Sequence, residues 1–429
     1  MKGKVLSLGA AALLAGGAFL LSGQTASSNA QDLLGVSFVD NVKPYLEFRP
    51  RYEYVDVDNS SNKEANALTI RTKIGVKIGT VLGVNGLSAV LEAIDVSALV
   101  DDYSPQKSNY ETVLDPDNTR ITQAYVAYSL GNYTFVAGRK YVIIDDHRFI
   151  GTIGWRQMPQ SFGVLAVAGK PIPGLDFLLA GIYERKFIVD GGNIDWKLDK
   201  MPIVLDVNYK VVPQLRVKGF AYLLTDIHNT YGVKASGAID LGGIKVSYLG
   251  EYAKQTDPYQ KDNASTKPDI DTDYYRLKVG ASSMGFFGNI MYTYFGDAGG
   301  KNAGFSVPLA TNHKFDGWAD VLLLGAANGF YYGMKEWCIS AGYKNPAIGK
   351  IMVAYLKFDS DKNPGIGKSI GSEIDALYAK KLTKRLSFLA KAAWYNADNG
   401  YCIGSTCNAT TAKGTKDVTK YWLQLDYKY

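Results

Sequence analysis

Apolar and polar residues alternate with a period of two through most of the chain. In YLEFRPRYEYVDV, residues 45–57, Leu46, Phe48, Pro50, Tyr52 and Tyr54 share one face, and Glu47, Arg49, Arg51 and Glu53 share the other. In ALTIRTKIGVKIG, residues 67–79, Leu68, Ile70, Ile74, Val76 and Ile78 alternate with Thr69, Arg71, Lys73, Gly75 and Lys77. LRVKGFAYL, residues 215–223, sets Leu215, Val217, Gly219, Ala221 and Leu223 against Arg216, Lys218, Phe220 and Tyr222. Successive strand side chains point to opposite faces, so each segment has one apolar and one more polar side. The pattern predicts 18 strands, near 44–56, 65–79, 86–96, 119–129, 133–139, 159–169, 174–184, 202–210, 214–224, 230–240, 244–254, 273–282, 286–295, 331–344, 350–358, 372–382, 384–396 and 417–429.

A soluble sandwich alternates as well, with its polar side turned to outside water. Three features separate the two architectures. Many of these segments run to roughly 9–13 residues, the length of tilted membrane strands, whereas soluble strands average nearer 5–6. The connections also sort by length. Long ones (97–118, 140–158, 185–201, 255–272, 296–330, 397–416) follow odd-numbered strands. Tight ones follow even-numbered strands: 130–132, 170–173, 211–213, 241–243 and 345–349. Long loops on one rim and short turns on the other mark bacterial outer-membrane barrels, with the short turns periplasmic. The third feature is the ending, YWLQLDYKY: Tyr421, Leu423, Leu425, Tyr427 and Tyr429 alternate with Gln424, Asp426 and Lys428. An apolar last strand with terminal aromatics, here Tyr427 and Tyr429, is the expected signal to barrel-assembly machinery. Rings toward both strand ends, such as Phe48, Tyr54, Tyr421 and Tyr429, suit interfacial girdles.

The expected fold is therefore all-β: a transmembrane antiparallel up-and-down barrel of about 18 strands over residues 31–429. Its first and last strands must pair, because an open edge in hydrocarbon leaves backbone groups unsatisfied. At 16–18 strands side chains no longer fill a barrel, so its polar faces line water.

Residues 1–30 carry Lys2 and Lys4, an apolar run from Val5 to Leu21, and a small-residue exit at Ser28-Asn29-Ala30. That is the layout of a cleavable secretory signal peptide, which points to the outer membrane of a Gram-negative-type bacterium. The formal charge of +6 falls to +4 without those two lysines, too mild to argue for nucleic acid. Three cysteines exclude a disulfide scaffold. Cys402 and Cys407, in the last long loop, have the spacing for one small disulfide in an oxidising compartment.

DDHRFIGTIGWRQMPQSF, residues 145–162, is crowded for a connection. Its apolar residues Val142-Ile143-Ile144, Phe149-Ile150 and Trp155 are awkward in water, which favours a loop at about 140–158 folded into the lumen over one facing the medium. Asp145, Asp146, His147, Arg148 and Arg156 are then expected to reach the channel axis and form a constriction, where narrow width and low dielectric strengthen ion selection. The expected pore lining is Glu47, Arg49, Arg51, Arg71, Lys73, Lys77, Arg139, Arg216, Lys218, Arg276 and Lys278. The basic excess favours anions, unless lumen charges simply pair with one another.

Several pieces resemble a known family. They are Ala67-Leu68-Thr69-Ile70-Arg71-Thr72-Lys73-Ile74-Gly75, Asp115-Pro116, Gln123-Ala124-Tyr125, Gly138-Arg139, Asp145-Asp146-His147-Arg148-Phe149-Ile150-Gly151, Gly154-Trp155-Arg156-Gln157 and Phe162. Over residues 45–185 the chain looks like the alginate-export-type family of 18-stranded outer-membrane proteins, related to the substrate-selective porins. Lys140 stands where that family usually has Gln, and Gly163 where an Asp is common. The resemblance implies a passive, substrate-biased channel narrowed by an inner loop.

The expected function is passive diffusion of small hydrophilic solutes, anions favoured, through a loop-constricted aqueous pore. The alternatives are an export conduit for an anionic polysaccharide and a plugged structural or adhesin barrel, the plug being loop 296–330 with its apolar VLLLGAANGF. Catalysis needs a nucleophile beside a positioned base. His147, His228 and His313 fall in expected loops without a Ser-containing motif, so no enzyme is expected. DIDTD, 269–273, lacks the Gly and closing Glu of a calcium loop, so neither metal nor cofactor is expected. Expected partners are outer-membrane lipid, the assembly machinery and the solute. Oligomeric state is not set by the sequence.

Overall fold

The computed structural model describes residues 39–260 and 269–429. The signal-peptide segment 1–30 lies outside the described residues. The strands are β1 (Val39–Val57), β2 (Ala65–Val81), β3 (Leu87–Asp102), β4 (Asn118–Leu130), β5 (Tyr133–Lys140), β6 (Ser161–Gly169), β7 (Leu175–Lys186), β8 (Ile194–Asp195), β9 (Ile203–Val212) and β10 (Leu215–Leu224). They continue as β11 (His228–Asp240), β12 (Lys245–Thr256), β13 (Asp271–Ser283), β14 (Phe286–Phe295), β15 (Met334–Asn345), β16 (Gly349–Asp359), β17 (Ser369–Lys381), β18 (Leu386–Ala397) and β19 (Val418–Lys428).

Every neighbouring pair is antiparallel, and β1 pairs with β19 from Glu47↔Lys428 to Val57↔Val418, which closes the barrel. β8 is a two-residue addition against Glu184 and Arg185, and β7 resumes its ladder with β9. Eighteen strands thus form the wall, each where alternation placed it. β1, β2 and β3 run longer than expected, to 19, 17 and 16 residues.

The outer face is apolar. Leu277 and Val279 of β13, Ile339 of β15, Val353 of β16 and Leu423 of β19 are each at least half exposed. Toward the long-loop rim this band meets rings: Tyr252, Tyr275 and Tyr294 stack across β12–β14, Tyr292 meets Trp337, and Trp394, Tyr421 and Tyr54 follow one another. Toward the short turns a second set holds Tyr133 with Phe177, Phe286 with Tyr343, and Tyr378 with Phe388. Two aromatic rings bounding an apolar band match a bilayer's two interfaces.

The hydrophobic core sits inside the barrel, not between layers. Phe149, Ile150, Phe305, Leu309 and Phe330 come from two long loops and pack on Phe220, Tyr222, Tyr274 and Phe295 of the wall. Burial along the inner face falls toward the short turns. Thr272, Tyr274 and Arg276 are buried, while Lys278 and Ser282 are half-buried; Glu47 is buried and Lys77 exposed. The loops fill the long-loop half of the lumen and leave a vestibule at the other end.

If lipid covers the apolar wall, Val279→Arg should lower stability by about 2–4 kcal/mol, measured by denaturant titration of the protein in lipid vesicles. A change within about 0.5 kcal/mol, the usual effect at a water-facing surface, would contradict a lipid-facing wall.

Candidate functional site: two interlocked loops in the lumen

The segment between β5 and β6 (141–160) crosses the lumen and meets the segment between β14 and β15 (296–333). They join like two strands: the N–H of Gly151 donates to the Leu309 carbonyl at 2.9 Å, and that of Thr311 to the His147 carbonyl at 3.1 Å. The Gln160 side chain adds a bond to the Leu309 carbonyl at 3.0 Å. Gly151 is needed for the close approach, because a Cβ there would lie 2.4 Å from Thr311 Oγ1. Phe149 then enters an aromatic cluster, its ring 5.1 Å from that of Phe220 and 5.6 Å from that of Tyr274. Ring burial of this kind holds the loop inward at some cost in backbone entropy. The second segment carries a short helix, α1 (Leu323–Asn328), and its Phe330 packs on Tyr401.

Charged clamps fix the loops to the wall at two places. On the β1–β2–β19 side, Arg156 gives bonds of 3.1 and 2.9 Å to Glu53 and one of 2.7 Å to Asp320. Beside it Arg51 pairs with Asp115 at 3.2 Å, bonds the Trp155 carbonyl, and covers the Trp155 ring at 4.0 Å. Asp320 also takes 2.6 Å and 3.2 Å contacts from His313 Nδ1 and Lys420. Lys391 donates to His313 Nε2 at 2.7 Å and lies 3.8 Å and 3.7 Å from the centres of the Trp155 and Trp318 rings. On the β10–β13 side, Asp145 meets Lys234 at 2.5 Å and Lys218 at 3.6 Å, and Asp146 meets Arg276 at 2.7 Å. Arg148 binds Asp316 at 2.9 Å and Tyr274 at 3.0 Å.

The five expected constriction residues therefore divide. Asp145, Asp146 and His147 sit in the lumen, partly accessible. Arg148 and Arg156, expected at the channel axis, are only 1% and 3% exposed; Arg148 ties the two inserted segments together through Asp316, and Arg156 ties its loop to the wall through Glu53. Among the lining residues, Arg139 is the correction. It pairs in register with Ala124 and Gly163 and follows the exposed Phe135, which puts it on the outer face, bound to Glu184 at 2.8 Å. Lys140, one residue on, takes the inward position and lies 5.2 Å from the Tyr125 ring centre. The others face the lumen, and most are neutralised. Arg49 has Asp426 at 2.7 Å, Arg71 has Glu47, and Lys73 has Glu92 at 3.6 Å. Arg216 has Asp176 at 2.9 Å, Lys218 has Asp206 at 2.5 Å, and Arg276 has Glu251 at 2.9 Å in addition to Asp146. Lys77 lies 5.6 Å from the Tyr45 ring centre. Cys402 and Cys407 are joined by a disulfide in the loop over this region, where the Cys402 carbonyl accepts from Tyr331 N–H at 3.0 Å.

Asp115, Asp316, Asp320, His313, Lys314 and Lys391 were not anticipated as part of the site. Apart from the contact between His313 and Asp320, seven residues apart, their partners lie 40 or more residues away, and no local pattern announces such a pairing. The field in the loops follows from these contacts. Burial would raise the Asp146 carboxyl, but Arg276 and Lys234 outweigh it and hold the group at about 2. Burial and the neighbouring Lys391 ammonium lower the His313 imidazole to about 3, against the opposing pull of Asp320.

No family model and no curated protein match the chain. Crystal structures do. OccAB2 of Acinetobacter baumannii aligns over 92% of this chain and 99% of its own, with a TM-score of 0.67 at 16% identity. OccK5 (OpdH) of Pseudomonas aeruginosa gives 91%, 99%, 0.66 and 15%. OpdK of the same organism, crystallised with vanillate, gives 92%, 100%, 0.69 and 13%. These likenesses establish the fold: an 18-stranded closed antiparallel barrel.

Arg156→Ala leaves Glu53 and Asp320 buried beside a missing cation and should cost about 3–5 kcal/mol. The expected readout is faster proteolytic cutting of segment 141–160, with a His147→Ala control close to wild type. Acid should loosen the loops through His313. Its imidazole is neutral when seated, whereas in a released loop it takes a proton near its ordinary value of about 6.5. The released state then binds more protons, so seating is complete above that pH and weakens as pH falls from about 6.5 toward 3. Tryptophan emission from Trp155 and Trp318 should track this between pH 6.5 and 4.5, and His313→Gln should flatten the slope.

Proposed function

We propose that the protein is an outer-membrane channel for passive diffusion of small hydrophilic solutes. One observation carries the reading: a closed barrel with an apolar, ring-bounded exterior and a charged interior, narrowed from within by two interlocked loops. A soluble barrel has no use for such an exterior, and a scaffold has no use for a charged hollow. The likeness to the Occ/Opd outer-membrane porins supports the same placement. Segment 1–30 serves as the export signal, the described residues 39–260 and 269–429 form the barrel, and Tyr427 and Tyr429 end the strand offered to the assembly machinery.

Asp145, Asp146 and His147 form the accessible edge of the constriction, with Lys314 beside them. The lumen disfavours the polysaccharide conduit that the alginate-export-type resemblance suggests, because two inserted loops leave little width for a polymer. Anions are favoured, and the preference is modest because most inward arginines and lysines already face a carboxylate.

Reconstituted into a planar bilayer, the protein should give discrete conductance steps and, across a KCl gradient, a reversal potential on the anion side. A bilayer that stays silent would favour a plugged barrel, and strong cation preference would overturn the anion assignment.

A further inference from the structure

The outer wall is not uniformly bulky. On β16–β19 two outward rows run side by side: Ile351, Tyr378, Ala390 and Leu423, then Val353, Ala376, Ala392 and Tyr421. The three alanines lie low between the larger side chains and floor a groove of about 540 Å³. One row nearer the short turns, Lys380 stands opposite Phe388 on the same outward face. The turn that follows, Leu382 to Arg385, is exposed. Thr383 Oγ1 fixes it by accepting from the N–H groups of Arg385 at 3.1 Å and Leu386 at 3.0 Å. Arg385 lays its guanidinium over the Tyr429 ring, 4.4 Å from the centre. Lys380, Lys384 and Arg385 form no ion pair among the described residues, and the carboxylates at that end of β1 and β19, Glu47 and Asp426, face the lumen, held by Arg71 and Arg49. Elsewhere on the short-turn rim, Lys170 and Arg216 share Asp176, at 3.6 and 2.9 Å. Here three cations stand without counter-charge at the foot of an apolar groove.

We propose that this groove and turn form a binding site for one anionic phospholipid of the periplasmic leaflet. Its phosphate meets Lys380, Lys384 and Arg385, and an acyl chain lies on Ala376, Ala390 and Ala392. The spacing suits a lipid. Lys380 is four residues from Ala376, roughly 13 Å along a strand, and half of a ~30 Å hydrocarbon core gives one leaflet about 15 Å. Tyr378 and Phe388, their rings 6.1 Å apart, lie between the two parts, at the depth where girdle residues meet headgroups. Guanidinium and ammonium groups both bind phosphate, the former in a planar fork, and basic clusters at the hydrocarbon edge attract anionic headgroups. A free phosphate would have no use for the groove, and a neutral lipid none for the cations. A second copy seated here by a two-fold axis along the membrane normal would set like charges against like. The site is independent of what passes through the lumen.

The test is mass spectrometry of the intact folded protein, released from detergent with its bound lipid after titration with phosphatidylglycerol or with phosphatidylcholine of the same chains. The wild type should retain one phosphatidylglycerol at a concentration about tenfold below that needed for phosphatidylcholine, the factor for several partly exposed charge contacts acting together. Lys380→Gln combined with Arg385→Gln should erase that preference. Ala390→Trp, which fills the groove and leaves the charges in place, should weaken retention of both lipids. Lys170→Gln, in a turn whose charge is already answered, should change neither. Equal retention of the two lipids by the wild type would overturn the proposal without recourse to any variant. So would a preference that survives the double substitution, or retention untouched by Ala390→Trp. Displacement of the lipid by inorganic phosphate would reduce the turn to a plain anion site, and a dimer that keeps lipid off the groove would give the face to a second copy; either result contradicts the assignment.

Discussion

The pairing of β1 with β19 is the constraint on which everything else rests. A sheet of this length left open would expose one row of unpaired N–H and C=O groups on each edge, and hydrocarbon offers them no partner. Closure satisfies them and forces every side chain to one of two surfaces. The outer surface can be apolar only because something other than water covers it. The inner surface is then free to carry charge, and at 18 strands it encloses more space than the wall's own side chains can fill.

The inserted loops follow from that excess space. Phe149, Ile150, Leu309 and Phe330 find in the lumen the apolar surroundings that a rim position would deny them. Their descent brings backbone and charged groups into a confined region, where unpaired ions are costly. The arginines answer this need. Arg51, Arg148 and Arg156 each sit against a carboxylate, and Arg51 and Arg156 connect wall and loop directly. The same contacts that hold the loops also cancel most of the lumen's charge.

The strands were legible from sequence because alternation is a local property and a two-residue period survives any register. The inward loop was legible for a similar reason: Ile144, Phe149, Ile150 and Trp155 are out of place in an exposed connection. Arg139 was not legible. In TFVAG, which precedes it, both faces are apolar or small, so the phase of β5 cannot be taken from polarity, and Arg139 falls on the same side as Phe135. The clamps were hidden for another reason. Arg156 and Asp320 are 164 residues apart, and only the meeting of two loops inside a closed wall makes them neighbours. An arginine in a loop promises a charge at the axis until its partner is known.

Consecutive positions on one strand offer the most direct measurement. Spin labels placed singly at Leu277, Lys278 and Val279 in vesicle-embedded protein can be compared for collision with oxygen, which concentrates in lipid, and with a water-soluble nickel chelate. The account predicts oxygen contact at 277 and 279 and chelate contact at 278. Chelate contact at all three positions, or no two-residue period, would mean that the outer wall of this barrel does not face lipid.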